Sequence, residues 1–368
     1  MLGESLTMIR KRICILGATN IKHMTLSFLY TRELLQKGQP YDIIYIDRYN
    51  ELEATDAENR YRFQLEVNRE WSFAKKLMHY WKFRKYAIDI INNNKYDFII
   101  VWNEFTAFMF SDFLSKNYKD KYCINIRDYN YNNVFLVQRR LRNAVKNAAF
   151  STISSERFLG FLPESDYLFI HSYNESLLEK LDPIKEKRTE EEKIRVMFIG
   201  RMSYPESKVK TIDVLGNDKR FEFWLVGAGC GEYAQLIEEK GYDNIIIQDS
   251  FEPSDTAKYL EHADVIFSLN KESEVFSDVL LPIKLYYAIK KQIPILAYKS
   301  SYTFEYADKI GIAIGVEDKE IAKVGDIIAE KYSKMQQEQI KYGCEHAMEE
   351  IRSTHLALKE KINEYILN

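Results

Sequence analysis

Three places in the second half of the chain put cations or glycines where an apolar run gives way to a loop or helix. Gly200-Arg201 closes the run at 195–199 and is followed by Lys208 and Lys210. A guanidinium at a strand end and a flexible ammonium nearby suit a diphosphate, because both offset its charge and the Arg can hold two oxygens at once. The alternative is an ordinary solvated cluster. Gly227-Ala-Gly229-Cys-Gly231 follows the run at 223–226 and opens a helix. Glycines there either let backbone N–H groups approach a phosphate or simply make a tight turn, and the GxGxG spacing is not that of a dinucleotide site. Pro282-Ile-Lys284 begins a further helix, whose N-terminus favours an anion that Lys284 could assist; a plain amphipathic helix reads the same way.

The first half is less pointed. Gly17 with Asn20 and His23 follows the opening apolar run and has the form of a weaker anion-binding turn or of a turn alone. Asn103-Glu104 and Ser154-Ser-Glu156 stand at the ends of two further runs. The histidines show no spacing that suggests a metal. Cys14, Cys123, Cys230 and Cys344 are far apart and form no CxxC pair, which argues against a zinc site or disulfide framework and fits a reducing cytoplasm.

These residues need elements to hold them. Apolar runs at 13–16, 43–46, 98–102, 122–126 and 150–153 alternate with helical stretches near 25–37, 71–93 and 134–148. After a stretch at 181–195 in which ten of fifteen residues are charged, the pattern resumes at 195–199, 223–226, 244–247, 264–268 and 294–297. Helices are expected at about 232–241, 254–262 and 282–292, with a helical tail over 317–368. Continuous Ile/Val/Phe strands alternating with helices predict parallel sheets covered on both faces. The expected fold is α/β, with two Rossmann-like doubly wound domains facing a cleft: 1–185, 186–345, and a helix over 346–368 packing back on the first. Ligands are expected at the carboxyl ends of the strands.

Composition agrees. A chain of 368 residues is long for one core, and 46% hydrophobic with 29% charged residues is an ordinary globular balance. A net charge of -3 disfavours a nucleic-acid protein. No RRM or KH pattern is present, and no apolar stretch approaches the ~18 residues needed to span a bilayer. The apolar run after the N-terminal basic cluster, about five residues, is too short for a signal-peptide core.

The C-terminal pieces, in this order, resemble GT-B glycosyltransferases, specifically family 4 enzymes of bacterial capsule and exopolysaccharide synthesis. The resemblance rests on Gly200, Arg201 and Lys208, and on Val226, Gly227 and Gly229. It continues through Asp243-Asn244 with Phe251-Glu-Pro253, Ala263-Asp-Val265 with Ser268, and Pro282, Lys284, Leu285, Pro294 and Ala297. It covers about 195–315 and is loose in the first half. It implies transfer of a sugar from a nucleotide-sugar donor, UDP- or GDP-linked, with retention of configuration and with neither metal nor other cofactor. Arg201 and Lys208, with Lys210 as substitute, would stabilise the leaving diphosphate. The family's ribose-binding Glu falls on Tyr287, and a phenol cannot hold both hydroxyls as a carboxylate does. The upstream acid of that pair falls near Val279, with Glu272 and Glu274 in the same loop. Acceptor roles fall on Gly17, Asn20, Asn103, Arg127 and Asp128. Asp128 and Glu104 are the candidates for handling the acceptor hydroxyl, although Arg127-Asp128 reads equally as a strand-end pair or a helix cap.

Residues 71–88 hold five Lys/Arg and no acid, with Trp71, Tyr80, Trp81 and Phe83, and residues 134–150 add Arg139, Arg140, Arg142 and Lys146. Basic side chains among aromatics suit an anionic membrane surface; they also suit a helix with aromatics in the core and lysines in water. The expectation is a cytoplasmic protein, peripheral on the inner face of the membrane, acting on a lipid-linked saccharide in surface polysaccharide synthesis and binding no nucleic acid. Two rivals stand beside it: a catalytically silent GT-B partner or glycan-binding subunit, and a GT-B nucleotide-sugar epimerase.

Overall fold

The computed structural model describes residues 10–65, 72–127, 134–184, 192–202, 206–269 and 279–367. Two compact units emerge, one of residues 1–171 with 353–368 and one of residues 172–352. The division falls at His171 rather than in the charged stretch. Beyond it the chain already belongs to the second unit, where Ile184 N donates to Lys291 O at 2.9 Å.

The first unit carries a seven-stranded sheet in the order β3-β2-β1-β4-β5-β6-β7. Its strands are β1 (Ile13–Gly17), β2 (Asp42–Asp47), β3 (Asn59–Gln64), β4 (Phe98–Trp102), β5 (Tyr122–Ile126), β6 (Phe150–Ile153) and β7 (Tyr167–Phe169). All neighbours are parallel. β1, β2, β4, β5 and β6 are buried at every position, as expected of Ile/Val/Phe-rich strands covered on both faces. β3 is an edge strand, Asn-Arg-Tyr-Arg-Phe-Gln, mostly exposed or half-buried; its alternating character hides it from a search for apolar runs. Helices α1 (Phe28–Gln36), α2 (Phe73–Asn94), α3 (Glu104–Asn117) and α4 (Phe135–Lys146) join the strands.

The second unit repeats the plan with six strands in the order β10-β9-β8-β11-β12-β13. These are β8 (Ile194–Ile199), β9 (Phe221–Val226), β10 (Ile245–Gln248), β11 (Val265–Phe267), β12 (Ile295–Tyr298) and β13 (Ala313–Val316), again all parallel. The described helices are α5 (Glu206–Gly216), α6 (Ala234–Lys240), α7 (Thr256–Leu260), α8 (Ile283–Lys291), α9 (Tyr302–Lys309), α10 (Val324–Lys334) and α11 (Gln337–Lys361). α11 begins in the second unit and ends in the first. There Leu358, Ile362 and Ile366 join the core built on Ile13, Ile15, Tyr45, Phe98 and Ile100. The tail thus crosses back to the first unit.

Strand order reverses between β1 and β4 in one sheet and between β8 and β11 in the other. At such points the connecting loops leave to opposite faces and open a crevice at the carboxyl ends of the strands. The crevice of the second unit is flanked by the loop that begins at Gly200, and that of the first by the loops that begin at Ala18 and Asn103.

Candidate functional site

Gly200 has φ +131 and Gly227 φ +128, conformations that suit glycine. Gly200 N donates to Val226 O at 2.9 Å, and Met202 N to Ala228 O at 2.8 Å, so the loops after β8 and β9 continue the ladder side by side. A Cβ on Gly227 would collide with the Gly200 carbonyl, and one on Gly229 would come within 2.8 Å of Met202 O. This close approach explains the glycine run. Its N–H groups are spoken for: Gly227 N donates to Gln248 O at 2.7 Å and Cys230 N to Gly227 O at 3.0 Å. Gly229 N and Gly231 N both donate to Asp249 Oδ1, at 3.1 and 2.7 Å. The geometry is that of a tight turn held by a carboxylate.

The cations behave differently. Lys208 on α5 and Lys284 near the start of α8 are both buried. Their ammonium groups lie 5.5 and 4.1 Å from the centroid of one ring, Phe198 on β8. The Cys230 thiol, pushed up to about 12 by burial and by Asp249, is pulled down by the same two lysines, so the turn and both ammonium groups share one electrostatic neighbourhood. Burying an ammonium is costly; cation–π contact offsets part of that cost. Arg201, directly after Gly200, is exposed, and so is Lys210. Two residues on from Lys208, Lys210 points elsewhere on α5, since positions i and i+2 do not share a helix face.

Pro282 is the N-cap residue of α8. One turn beyond Lys284, Tyr287 is buried, and burial pushes its phenol up to about 12, which leaves it a neutral donor. Glu274 and Glu272 lie outside the described residues, as do Asp128 and Trp71.

In the first unit the residues assigned to an acceptor are engaged within the chain. Gly17 leaves room for the Met24 side chain, which a Cβ would strike. Asn20 is fully buried and donates through Nδ2 to Asp47 Oδ1 at 3.3 Å and Glu53 Oε2 at 3.1 Å. Its Oδ1 accepts from Arg48 N at 3.2 Å. Asn103, at φ +68, caps α3 by accepting from Thr106 N at 2.9 Å, and Glu104, the next residue, is buried. Arg127 donates to Asn125 Oδ1 at 3.1 Å and to Ile170 O at 3.2 Å, bracing the end of β5. Gly17, Asn20, Asn103 and Arg127 are thus each held by contacts within the first unit. The same edge exposes His23, which the sequence grouped with Gly17 and Asn20, and also Tyr49 and Leu52, which sequence reasoning passed over; a lone aromatic just past a strand carries no periodic signal.

The basic stretches also divide. Arg84 of α2 and Arg140 of α4 both pair with Asp112 of α3, at 2.9 and 2.7 Å, and donate to α3 carbonyls. Phe83 is in the core, and Tyr80 accepts from Arg48 Nη2 at 2.8 Å. Lys75, Lys82, Lys85, Arg139, Arg142 and Lys146 remain exposed, together with Met78, Trp81, Phe135 and Leu136. His171 is buried edge-on to Phe169. Among the described residues no cluster of His, Cys, Asp or Glu could hold a metal ion, and no helix is long and apolar enough to cross a membrane.

No family model matches the sequence, and no curated protein does. Solved structures match over nearly the whole chain. A sucrose-phosphate synthase from Thermosynechococcus elongatus superposes with a TM-score of 0.68 at 10% identity, over 96% of this chain and 98% of its own. Anabaena HepE, solved with UDP and glucose, gives 0.64 at 12% identity, over 96% and 100%. WaaG, a glycosyltransferase of lipopolysaccharide biosynthesis, gives 0.59 at 13%, over 96% and 99%. A Listeria monocytogenes protein described as a UDP-N-acetylglucosamine 2-epimerase gives 0.54 at 10%, over 94% and 96%. At these identities the likeness is one of fold: two parallel α/β sheets in the GT-B arrangement of strands and helices.

Proposed function

We propose that this chain is a glycosyltransferase that moves a sugar from a UDP- or GDP-linked donor to a saccharide acceptor, with retention of configuration. The observation that carries the reading is the pair of buried lysines, Lys208 and Lys284, set on Phe198 beside the Gly200-Arg201 strand end. Cations preorganised in a poorly solvated crevice stabilise charge that develops on a leaving group. Here they would hold the donor diphosphate and take up its negative charge as the glycosidic bond breaks, with exposed Arg201 closing over it. Tyr287, neutral and one turn from Lys284, would donate to the nucleotide. Glu104 and Asp128 would orient or deprotonate the acceptor hydroxyl. The glycines at 227 and 229 serve by letting the two loops approach.

The acceptor we propose is lipid-linked, in surface polysaccharide synthesis. Support comes from the exposed lysines, arginines and apolar side chains of α2 and α4, which suit an anionic bilayer at headgroup level. The fold shared with the Listeria protein favours a second reading, a nucleotide-sugar epimerase, which would consume donor with no acceptor.

Calorimetry with UDP, GDP, TDP and CMP tests the donor site. One nucleoside diphosphate is expected to bind, and Lys208→Ala and Arg201→Ala to weaken it at least tenfold while circular dichroism stays native. Binding that is indifferent to both substitutions rejects the site. Donor turnover without acceptor selects the epimerase.

A further inference from the structure

The loop between β2 and β3 displays two large apolar side chains, Tyr49 and Leu52, 49% and 71% exposed. It is nevertheless tightly held. Tyr49 N donates to Asp47 Oδ1 at 2.9 Å. Asn50, in the left-handed region at φ +55, accepts from Arg62 Nη2 at 2.6 Å. Glu53 accepts from Ile21 N at 2.9 Å, Lys22 N at 2.8 Å and Asn20 Nδ2. Ordering a backbone costs conformational entropy, and here the ordered loop leaves an aromatic ring and a leucine partly in water.

The rim of the ring is polar. Tyr49 OH and His23 Nε2 are 3.1 Å apart. One face of the ring is covered by the Lys22 ammonium, 3.8 Å from the centroid, which pairs with Glu51 at 2.7 Å. A half-exposed aromatic ring with an ammonium on one face and an imidazole at its hydroxyl edge, in a loop that also exposes a leucine, offers its remaining face to a pyranose. Its C–H face packs on the ring, and its equatorial hydroxyls meet donors and acceptors at the edge. An acyl chain would strand those charges. The loop lies at the carboxyl edge of β1 and β2, beside the point where strand order reverses.

We propose that Tyr49, with Leu52, His23 and the Lys22–Glu51 pair, forms a saccharide subsite that takes a pyranose of the acceptor. Its identification with the acceptor rests on the glycosyl-transfer reading; its affinity for sugar does not. The test uses the full chain, with saturation-transfer NMR and calorimetry against methyl glucoside, methyl galactoside, N-acetylglucosamine, maltotriose and chitotriose, and separately UDP and GDP. At least one saccharide is expected to bind. Tyr49→Ala is expected to weaken it tenfold or more, Tyr49→Phe to stay within threefold, and both to leave nucleotide affinity unchanged. The proposal is overturned if no saccharide binds, if Tyr49→Ala binds as the parent does, or if Tyr49→Ala weakens the nucleotide instead. Saccharide binding lost in Tyr49→Ala with no nucleotide bound by the parent leaves the subsite standing and removes the transferase.

Discussion

Asp47 shows how a single side chain at a strand end can organise a crevice. Burial works to raise its carboxyl pKa, but the Tyr49 N–H, the Asn20 amide and the Arg62 guanidinium outweigh it and hold the group below its ordinary value. The Arg62 contact is an ion pair of 2.7 Å. A depressed folded value means the stabilisation is present above the unfolded carboxylate value, near 4, and is lost as the pH falls through the folded one. Asp47→Asn is therefore expected to cost about 2 kcal/mol at pH 7 in urea unfolding, with the gap to the parent closing as the pH drops from 5 towards 3. A gap that does not change with pH would place the effect in packing. Lys208 makes the opposite point. Its type and its precedence over Lys210 were readable from the sequence, whereas its burial on Phe198 came from α5 turning it inward.

At the level of elements, α2 and α4 flank α3 and are stapled to it through Asp112. Burial again works to raise the Asp112 carboxyl pKa; Arg84 and Arg140 overcome it and hold the group below its ordinary value. Part of the basic character that suggested a membrane surface is thus spent on helix packing. The remainder is outward: Lys75, Lys82, Lys85, Arg139 and Arg142, with Trp81, Phe135 and Leu136 between them. Each cation near an anionic surface contributes about 1 kcal/mol. The chain is expected to co-sediment with phosphatidylglycerol-containing vesicles and not with pure phosphatidylcholine. A Phe135→Ser/Leu136→Ser double variant, or 0.5 M salt on the order of a 4 Å screening length, is expected to remove most of the binding. Equal sedimentation with neutral vesicles would refute the electrostatic part.

On the scale of the whole molecule, the first unit is closed by a segment from the far end of the chain. Leu358, Ile362 and Ile366 are buried among β1, β2 and β4 residues, and each such side chain contributes about 1.5–3 kcal/mol, a sum comparable with a domain's entire stability of about 5–15 kcal/mol. A chain ending at Arg352 is expected to lose amide-exchange protection in β1, β4 and β5 while β8, β9 and β12 keep theirs. Protection retained in β4 would show that the tail is dispensable to that core.

Local pattern alone determined the alternation of buried strands and helices, the division into two similar halves and the residue types of the proposed diphosphate site, because hydrophobic periodicity and strand-end glycines act over a few residues. Edge strand β3, the closure of the glycine turn by Asp249, the capping role of Asn103, the burial of Asn20 against Glu53 and the exposure of Tyr49 were decided only by the tertiary structure. Each depends on a partner tens of residues away or on which side of a sheet edge remains in water, and no spacing within the sequence encodes that choice.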